Sequence, residues 1–333
     1  MDKNRIKIFC LLVFTLFFTC VAYSETKKFK VLVVMSYETT YRWCSEIKEG
    51  VDHVLGKSSE IKYFYMNTKI DVKGGPKKAK EAFEVFEKFK PDGVIVADDN
   101  GQSMFVVPYV KDKYKTPVMF CGVNAEPEKY GYPSKNVSGI LERQLIKESI
   151  IFIQQLLPNI NTMGFVIRQD SSTAAGISAQ IDREKKGYPV KVFDTVLLNN
   201  IKEGKNFINK NKKKYDALFM VSLEGLPDEN GKPMTEKNVI KTLKALYKKP
   251  TLGIEKFGVQ YGSLCAIIQT GQEQGTVAAE MLLKAMKGTP VAKIPITRNK
   301  FGKRVINMDT LNSLKLKPDP KILSDAELVR TEK

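Results

Sequence analysis

Histidine and tryptophan are almost absent from this 333-residue sequence, which contains one of each, His53 and Trp43. Cysteine is also scarce, and the five cysteines form no CxxC pair and no Cys/His cluster of the kind that holds a metal. A Ser/His/Asp or Cys/His catalytic set would have to recruit His53, which lies inside a predicted helix. We therefore expect no metal site, no cofactor and no enzymatic activity.

Long apolar runs are absent beyond residue 24, and the run at residues 8–18 is too short to span a bilayer comfortably. Three basic residues precede that run, and Ala22-Tyr23-Ser24 supplies small residues after it, which is the pattern of a secretory signal peptide. We predict that residues 1–24 are removed on export. Anchoring as a lipoprotein through Cys20 is the alternative, although Phe17-Phe18-Thr19 makes a poor lipobox.

Removal of residues 1–24 would change both the charge and the cysteine count. The full sequence has a net charge of +17, and the remainder has +15, because the removed segment carries three basic residues and one acidic residue. Most of the excess is lysine on predicted helix faces, and no zinc finger, basic zipper or arginine-rich arm indicates a nucleic-acid partner. Cys44, Cys121 and Cys265 would remain, and whether Cys44 pairs with Cys121 stays open.

Short β-rich runs alternate with helical stretches along the chain, which predicts an α/β fold with parallel sheets. About 309 residues remain after cleavage, more than a single core usually holds, so we expect two doubly wound lobes. The first series consists of strands 30–35, 61–66, 93–97 and 117–121 with helices near 45–56, 76–89 and 101–113. The second consists of strands 162–167, 190–196, 216–221 and 250–254 with helices 144–156, 172–186, 203–212 and 235–246.

The last part of the chain adds a strand at residues 265–268, a helix at 271–286 and a β-like run at 304–308. Elements that follow two complete series indicate that the chain crosses back between the lobes. A segment with several prolines and glycines, residues 123–141, is predicted to form the first crossing.

Loops at the carboxyl ends of parallel strands form the ligand crevice of an open α/β sheet. Polar and aromatic residues follow several of the predicted strands, as a small polar ligand requires. The candidate ligand-binding residues are Ser36, Tyr37, Glu38, Trp43, Asp98, Asp99, Asn100 and Asn124 in the first half and Asp170, Ser171, Ser172, Ser222, Glu224 and Glu255 in the second.

Several of these residues also fit a structural role. Tyr37 and Trp43 are equally suited to covering the end of the helix near residue 45. Asp98 and Asp99 stand where a helix cap is expected, and the serines at 171 and 172 suit either a cap or an anionic ligand group. The number of carboxylates favours a cationic, zwitterionic or polyhydroxyl ligand over an anion.

Ordered motifs that cover most of the chain resemble the substrate-binding proteins of ABC transporters, including the tryptophan-binding type. The matching segments are the strand 31–35 with its aromatic loop, Pro91-Asp92-Gly93-Val94-Ile95-Val96, Thr116 to Asn124, Asn136-Val137-Ser138-Gly139, Gly275 with Ala278-Ala279, Gly288, and Ile306-Asn307. The loop 36–43, with Ala97 to Asn100 and Phe120 to Asn124, is similar to a branch that also serves as the input domain of bacterial sensors.

The resemblance implies a type I periplasmic binding fold, in which two α/β lobes joined by a three-crossing hinge enclose the ligand. It places one lobe at residues 29–122 plus 265–290 and the other at 142–258 plus 303–333, with crossings at 123–141, 258–265 and 290–303. The expected function is that of an exported, monomeric receptor that delivers an amino acid, sugar-like or other polar solute to an ABC permease. A stand-alone sensing module for a membrane signalling protein is the alternative, and an enzyme with paired carboxylates is a third reading.

Overall fold

The computed structural model describes residues 28–169 and 174–332, which contain two separate β-sheets. The predicted signal peptide, the candidates Asp170, Ser171 and Ser172, and Lys333 lie outside the described residues. The strands of the first sheet are β1 (Phe29–Met35), β2 (Ser59–Tyr65), β3 (Gly93–Ala97), β4 (Val118–Val123), β5 (Val137–Leu141) and β11 (Thr297–Arg298). All pairs in this sheet are parallel, in the order β11-β5-β4-β3-β1-β2.

The second sheet has seven strands and is parallel except for one pair. Its strands are β6 (Thr162–Arg168), β7 (Lys191–Leu198), β8 (Ala217–Val221), β9 (Thr251–Leu252), β10 (Cys265–Ile268), β12 (Lys303–Asn307) and β13 (Glu327–Val329). They lie in the order β13-β12-β10-β9-β8-β6-β7, and only β10 and β12 are antiparallel. The two-lobed α/β fold expected from the sequence is confirmed.

Helices connect most of the parallel strands, as βαβ crossovers require. They are α1 (Arg42–Leu55), α2 (Gly75–Phe89), α3 (Asp98–Gly101, continuing as a π-helix over Gln102–Val110), α4 (Ile146–Leu156), α5 (Ala174–Glu184), α6 (Ile201–Asn211), α7 (Glu236–Tyr247), α8 (Lys256–Gln260), α9 (Gly271–Met286), α10 (Met308–Ser313) and α11 (Pro320–Ser324). Short 3₁₀ turns occur at Pro127–Tyr130, Lys185–Gly187 and Val291–Lys293. No helix in the described part of the chain is both long and apolar enough to cross a membrane.

Helices cover both faces of the first sheet because successive side chains of a strand point to opposite sides. Val31 and Val33 of β1 pack in the core with α1 and α9, whereas Leu32 and Val34 pack in the core with α2 and α3. Helices α1 and α9 approach closely: a Cβ atom on Gly275 would lie 2.1 Å from the carbonyl oxygen of Ile47. The continuous apolar runs of the sequence are therefore strands buried on both faces.

The chain passes between the two sheets three times, at residues 142–145, 269–270 and 299–302. These passages differ from the segments drawn from the sequence. Residues 137–141, placed in the first crossing, form β5, and residues 265–268, placed in the first lobe, form β10 of the second sheet. The positions of proline and glycine do not reveal which strands pair in a sheet, because the partner strand is distant in the sequence.

A buried asparagine joins the first and third passages. Asn299, which is fully buried, accepts a hydrogen bond from the Arg143 backbone N–H at 2.8 Å and donates one to the Arg143 carbonyl at 2.9 Å. The Glu273 carboxylate accepts from the backbone N–H groups of Lys300 and Phe301. The passages are therefore bonded to one another as well as to the lobes.

Candidate functional site

A crevice opens where the strand order of the first sheet reverses direction. β1 lies between β2 and β3, so the loops that leave β1 and β3 run to opposite sides and leave a gap between them. The second sheet has the same arrangement around β6, with β7 and β8 as its neighbours. The two sheets thus bring two such edges to one cleft.

Two adjoining cavities occupy this cleft. The smaller, ≈ 320 Å³ and called here the aromatic cavity, is lined by Tyr37, Tyr41, Trp43, Lys69, Asp98, Asn124, Glu142, Glu255 and Gln269. The larger, ≈ 590 Å³ and called the interlobe cavity, is lined by Asn124, Ala125, Glu126, Glu142, Arg143, Gln144, Gly176, Ile177, Ala179, Gln180, Arg183, Glu255 and Gln269. Residues of both lobes and of the passages between them contribute to the lining.

Asp98 lies at the inner end of the aromatic cavity and is only 3% exposed. Its Oδ1 accepts a hydrogen bond from the indole Nε1 of Trp43 at 2.9 Å, whereas its buried Oδ2 has no partner among the described residues. Burial raises the pKa of this carboxyl well above its ordinary value, and the nearby carboxylate of Glu142 adds to the effect. Gly122, at φ +66°, makes room for the pair, since a Cβ there would lie 2.8 Å from Asp98 Oδ1.

Aromatic side chains and a lysine form one wall of the aromatic cavity. The rings of Tyr37 and Tyr41 meet edge to face with centroids 5.3 Å apart. The Lys69 ammonium lies 4.8 Å from the centroid of the first ring and 5.0 Å from that of the second, within cation–π range. Burial raises the pKa of Tyr37, so this phenol stays protonated.

Glu142 stands where the two cavities meet, directly after β5. Its carboxylate accepts from Nδ2 of Asn124 at 3.0 Å and from Nε2 of Gln269. Burial raises its pKa from the usual 4.5 to about 7, and the Glu255 and Asp99 carboxylates oppose its ionisation further. Burial likewise raises the pKa of Glu255 to about 7. Both carboxyl groups are therefore partly protonated near neutral pH.

The far end of the interlobe cavity carries arginines that pair with one carboxylate. Glu126 accepts from the guanidinium of Arg143 at 3.0 Å and from that of Arg183 at 2.9 Å. Arg143 also donates to the carbonyls of Val123, Asn124 and Glu142. Because Glu126 follows β4 and Arg183 belongs to α5, this contact links the two lobes across the cleft.

The structure brings five of the sequence candidates together in the aromatic cavity, namely Tyr37, Trp43, Asp98, Asn124 and Glu255. Ser222 lines a smaller cavity of ≈ 210 Å³ next to Glu255 in the second lobe. Neither aspartate of the pair 98–99 caps α3, which begins earlier than predicted and takes both into its first turn. The Ser36 hydroxyl instead accepts from Gly101 N–H and donates to the Ala97 carbonyl.

Four other candidates have side chains engaged in structural hydrogen bonds. Glu38 accepts from the Ile70 backbone N–H, and Asn100 donates to the Thr68 hydroxyl. Asp99 accepts from the backbone N–H groups of Asn124 and Ala125, which follow β4, and from the Tyr130 hydroxyl. Glu224 accepts from the backbone N–H of Glu236 at the start of α7. None of these residues, nor Ser36, lines the two cavities.

Sequence reasoning missed four residues of the aromatic cavity: Tyr41, Lys69, Glu142 and Gln269. The strand-end rule that selected the other candidates also applies to three of them. Glu142 directly follows β5, Gln269 directly follows β10, and Lys69 lies four residues after β2. Glu142 was missed because its strand was assigned to a crossing. The loops after the predicted strands 61–66 and 265–268, which contain Lys69 and Gln269, supplied no candidates.

Two mostly parallel α/β sheets joined by three passages, with a cleft at their carboxyl edges, define the type I periplasmic binding protein fold. A family model described as ABC transporter substrate binding protein matches residues 28–330. The chain therefore belongs to the ABC transporter substrate-binding protein family. No curated protein matches the sequence.

Solved structures similar to this chain share the fold at low sequence identity. A substrate-binding protein with adhesive properties from Clostridium difficile, in its ligand-free open form, has a TM-score of 0.67 and 16% identity, with 91% of this chain and 100% of that chain covered. An arabinose-binding protein from Geobacillus stearothermophilus has a TM-score of 0.56 and 12% identity, with 87% and 100% covered. The ABC domain in complex with L-Trp from Streptococcus pneumonia has a TM-score of 0.51 and 18% identity, with 91% and 100% covered.

Proposed function

We propose that this protein is an extracytoplasmic receptor that captures a small polar solute between its lobes and delivers it to an ABC permease. The observation that carries the proposal is the cleft in which polar side chains of both lobes converge on one concave space, as polar groups do in small-molecule sites. Family membership supports the transport role. In the described residues no group of acidic, histidine or cysteine side chains is arranged to hold a metal.

The proposed contacts come from three regions. The first lobe supplies Tyr37, Trp43 and Asp98, the passages supply Glu142 and Gln269, and the second lobe supplies Glu255. Asn124, Tyr41 and Lys69 of the first lobe complete the lining. A ligand that touches both lobes stabilises the closed arrangement to the extent that it binds that arrangement better. We place the first lobe at residues 28–141 plus 271–298 and the second at 146–268 plus 303–332, in a monomer exported after loss of residues 1–24.

Ligand capture is tested by a thermal-shift screen of amino acids, sugars, nucleosides and amines on the purified chain from residue 25, together with mass spectrometry of compounds that copurify. A ligand at 100 times its dissociation constant should stabilise the folded protein by about 2.7 kcal/mol. Recovery of the ligand unchanged after long incubation is expected of a receptor. If no solute raises the melting temperature and none copurifies, the proposal is wrong.

Delivery is tested with a candidate ABC permease from the same organism, reconstituted in proteoliposomes. The ligand-loaded protein should stimulate ATP hydrolysis by the permease, and the ligand-free protein should stimulate it less. Absence of stimulation at saturating ligand, combined with binding to the extracellular part of a membrane kinase, would replace transport by sensing.

A further inference from the structure

The Asp98 carboxyl is built into the cleft in an arrangement that leaves one oxygen for a ligand. Oδ1 is held by the Trp43 indole, and Oδ2 is buried, without a hydrogen-bond partner among the described residues, in a side chain that lines the aromatic cavity. Asp98 also has φ +64°, a conformation that non-glycine residues rarely adopt. A buried acceptor without a partner is costly, so a group that donates to Oδ2 would be favoured.

Asp98 shares its cavity with two further carboxyl groups, and no lysine or arginine among the described residues is paired with any of the three. Glu142 and Glu255 line the same cavity, and neither they nor Asp98 form an ion pair with a described residue. The Lys69 ammonium lies over tyrosine rings at the cavity margin, and the Arg143 guanidinium is used by backbone carbonyls and Glu126. The cavity thus offers several oxygen acceptors to a donor that carries positive charge.

We propose that the ligand presents a protonated primary amine to Asp98 Oδ2, an inference that rests on the proposed function. Glu142 and Glu255 then lie near the positive charge of the amine, and the rest of the ligand packs against Tyr37. An ammonium group has three donors, and charge-assisted hydrogen bonds to carboxylates are about twice as strong as neutral ones. Such a ligand satisfies the buried oxygen and offsets the acidic surroundings at once. Sugars and carboxylic acids lack the matching charge.

Titration supports this assignment. Burial raises the pKa of Asp98 well above its ordinary value, which favours the protonated form of this carboxyl in the absence of a cation. A bound ammonium favours the ionised carboxylate, and a proton that leaves Asp98 goes into solution. Amine binding should therefore release protons, which calorimetry in two buffers of different ionisation enthalpy measures directly.

The test uses matched probes and the single tryptophan as reporter, because Trp43 is bonded to Asp98. Fluorescence titrations compare 2-phenylethylamine with its neutral analogue 2-phenylethanol and its anionic analogue 3-phenylpropionate. We expect the amine to bind at least about tenfold more tightly than either analogue, since one charge-assisted hydrogen bond can supply that difference. Equal or tighter binding of the alcohol or the acid would overturn the assignment.

Substitutions of the cavity carboxyl groups test where the amine binds. Asp98→Asn keeps the oxygen that accepts from Trp43 and should weaken amine binding at least about tenfold, with less than about a threefold effect on the alcohol. Glu142→Gln should weaken amine binding selectively as well and serves if the first variant does not fold. Glu81→Gln, which removes a partly exposed carboxylate paired with Lys78 on α2 and outside both cavities, is the matched control and should bind like the parent. An equal loss for amine and alcohol in both folded site variants would contradict the proposal.

The thermal-shift screen separates this inference from the proposed function. Stabilisation by a sugar, nucleoside or acid while every amine fails would overturn the amine assignment and leave the receptor intact. Failure of every compound would overturn both. Stabilisation that is restricted to amines, and that is lost in Asp98→Asn but retained in Glu81→Gln, supports both.

Discussion

The folded protein should lose stability as pH rises, because Glu142 ionises in a buried position. The variant Glu142→Gln should not show this loss. Burial and the Glu255 and Asp99 carboxylates raise the pKa of Glu142 from 4.5 to about 7, while Asn124 and Arg143 act in the opposite direction. The folded state consequently binds more protons at this position than the unfolded state between these two pH values. Stability then falls with rising pH, because its slope follows the difference in bound protons.

The size of the effect follows from the two pKa values. Each pKa unit corresponds to about 1.4 kcal/mol, so the gap between 4.5 and about 7 amounts to about 3 kcal/mol of unfolding free energy when the titration is complete. The contribution is fully present below about pH 4.5 and is lost as pH passes about 7. Between pH 5 and pH 8 the stability of Glu142→Gln relative to the parent should rise by about 2 kcal/mol.

Urea unfolding followed by circular dichroism at pH 5, 6, 7 and 8 measures this difference directly. Any constant effect of the substitution on hydrogen bonds to Asn124 and Gln269 cancels, because only the change with pH is compared. The control variant Glu81→Gln should show no comparable trend. A difference that stays flat between pH 5 and pH 8 would show that Glu142 ionises normally and would refute the reasoning.

Three further substitutions or reactions probe the fold. Asn299→Ala leaves the Arg143 backbone N–H and carbonyl without partners, and urea titration should show a loss of about 2 kcal/mol or more; an unchanged midpoint would count against the buried link. Gly275→Ala forces α1 and α9 apart, because its Cβ would meet a carbonyl oxygen at 2.1 Å, and should lower the unfolding free energy by about 2 to 3 kcal/mol. A neutral effect would mean that the helices are farther apart. Cys44 and Cys121 are free and buried, so a thiol reagent should modify them only after denaturation, whereas recovery of a linked peptide would demonstrate a disulfide.

Periodicity and turn residues were sufficient to predict most elements of the fold. The predicted strand 93–97 and helix 271–286 match β3 and α9 at both ends, because each is bounded by strong local signals. β5 was assigned to a crossing because its identity as a strand depends on β4. Gly139 is needed there, since a Cβ would lie 2.3 Å from the Phe120 carbonyl oxygen. No local pattern reports such an approach.

The candidate site was predictable to the level of loops but not of side chains. Asp98 and Asp99 are adjacent in sequence, yet the first faces the cleft with φ +64° and the second binds Tyr130 and backbone N–H groups after β4. Similarly, Glu38 is occupied by the Ile70 N–H, 32 residues away in the chain. Strand order brings loops to an edge, whereas distant partners decide which polar groups remain for a ligand.

The bond between Asn299 and Arg143 has a mechanical consequence. Two of the three passages are joined by this bond, and Gln269 of the remaining passage is hydrogen-bonded to Glu142, which belongs to the first passage. Any rotation of one lobe relative to the other must therefore bend passages that are hydrogen-bonded to one another. Since Glu142 also lines the aromatic cavity, a ligand bound there lies beside the passages that connect the lobes. A displacement of Glu142 would therefore be transmitted to the passages on which the relative position of the lobes depends.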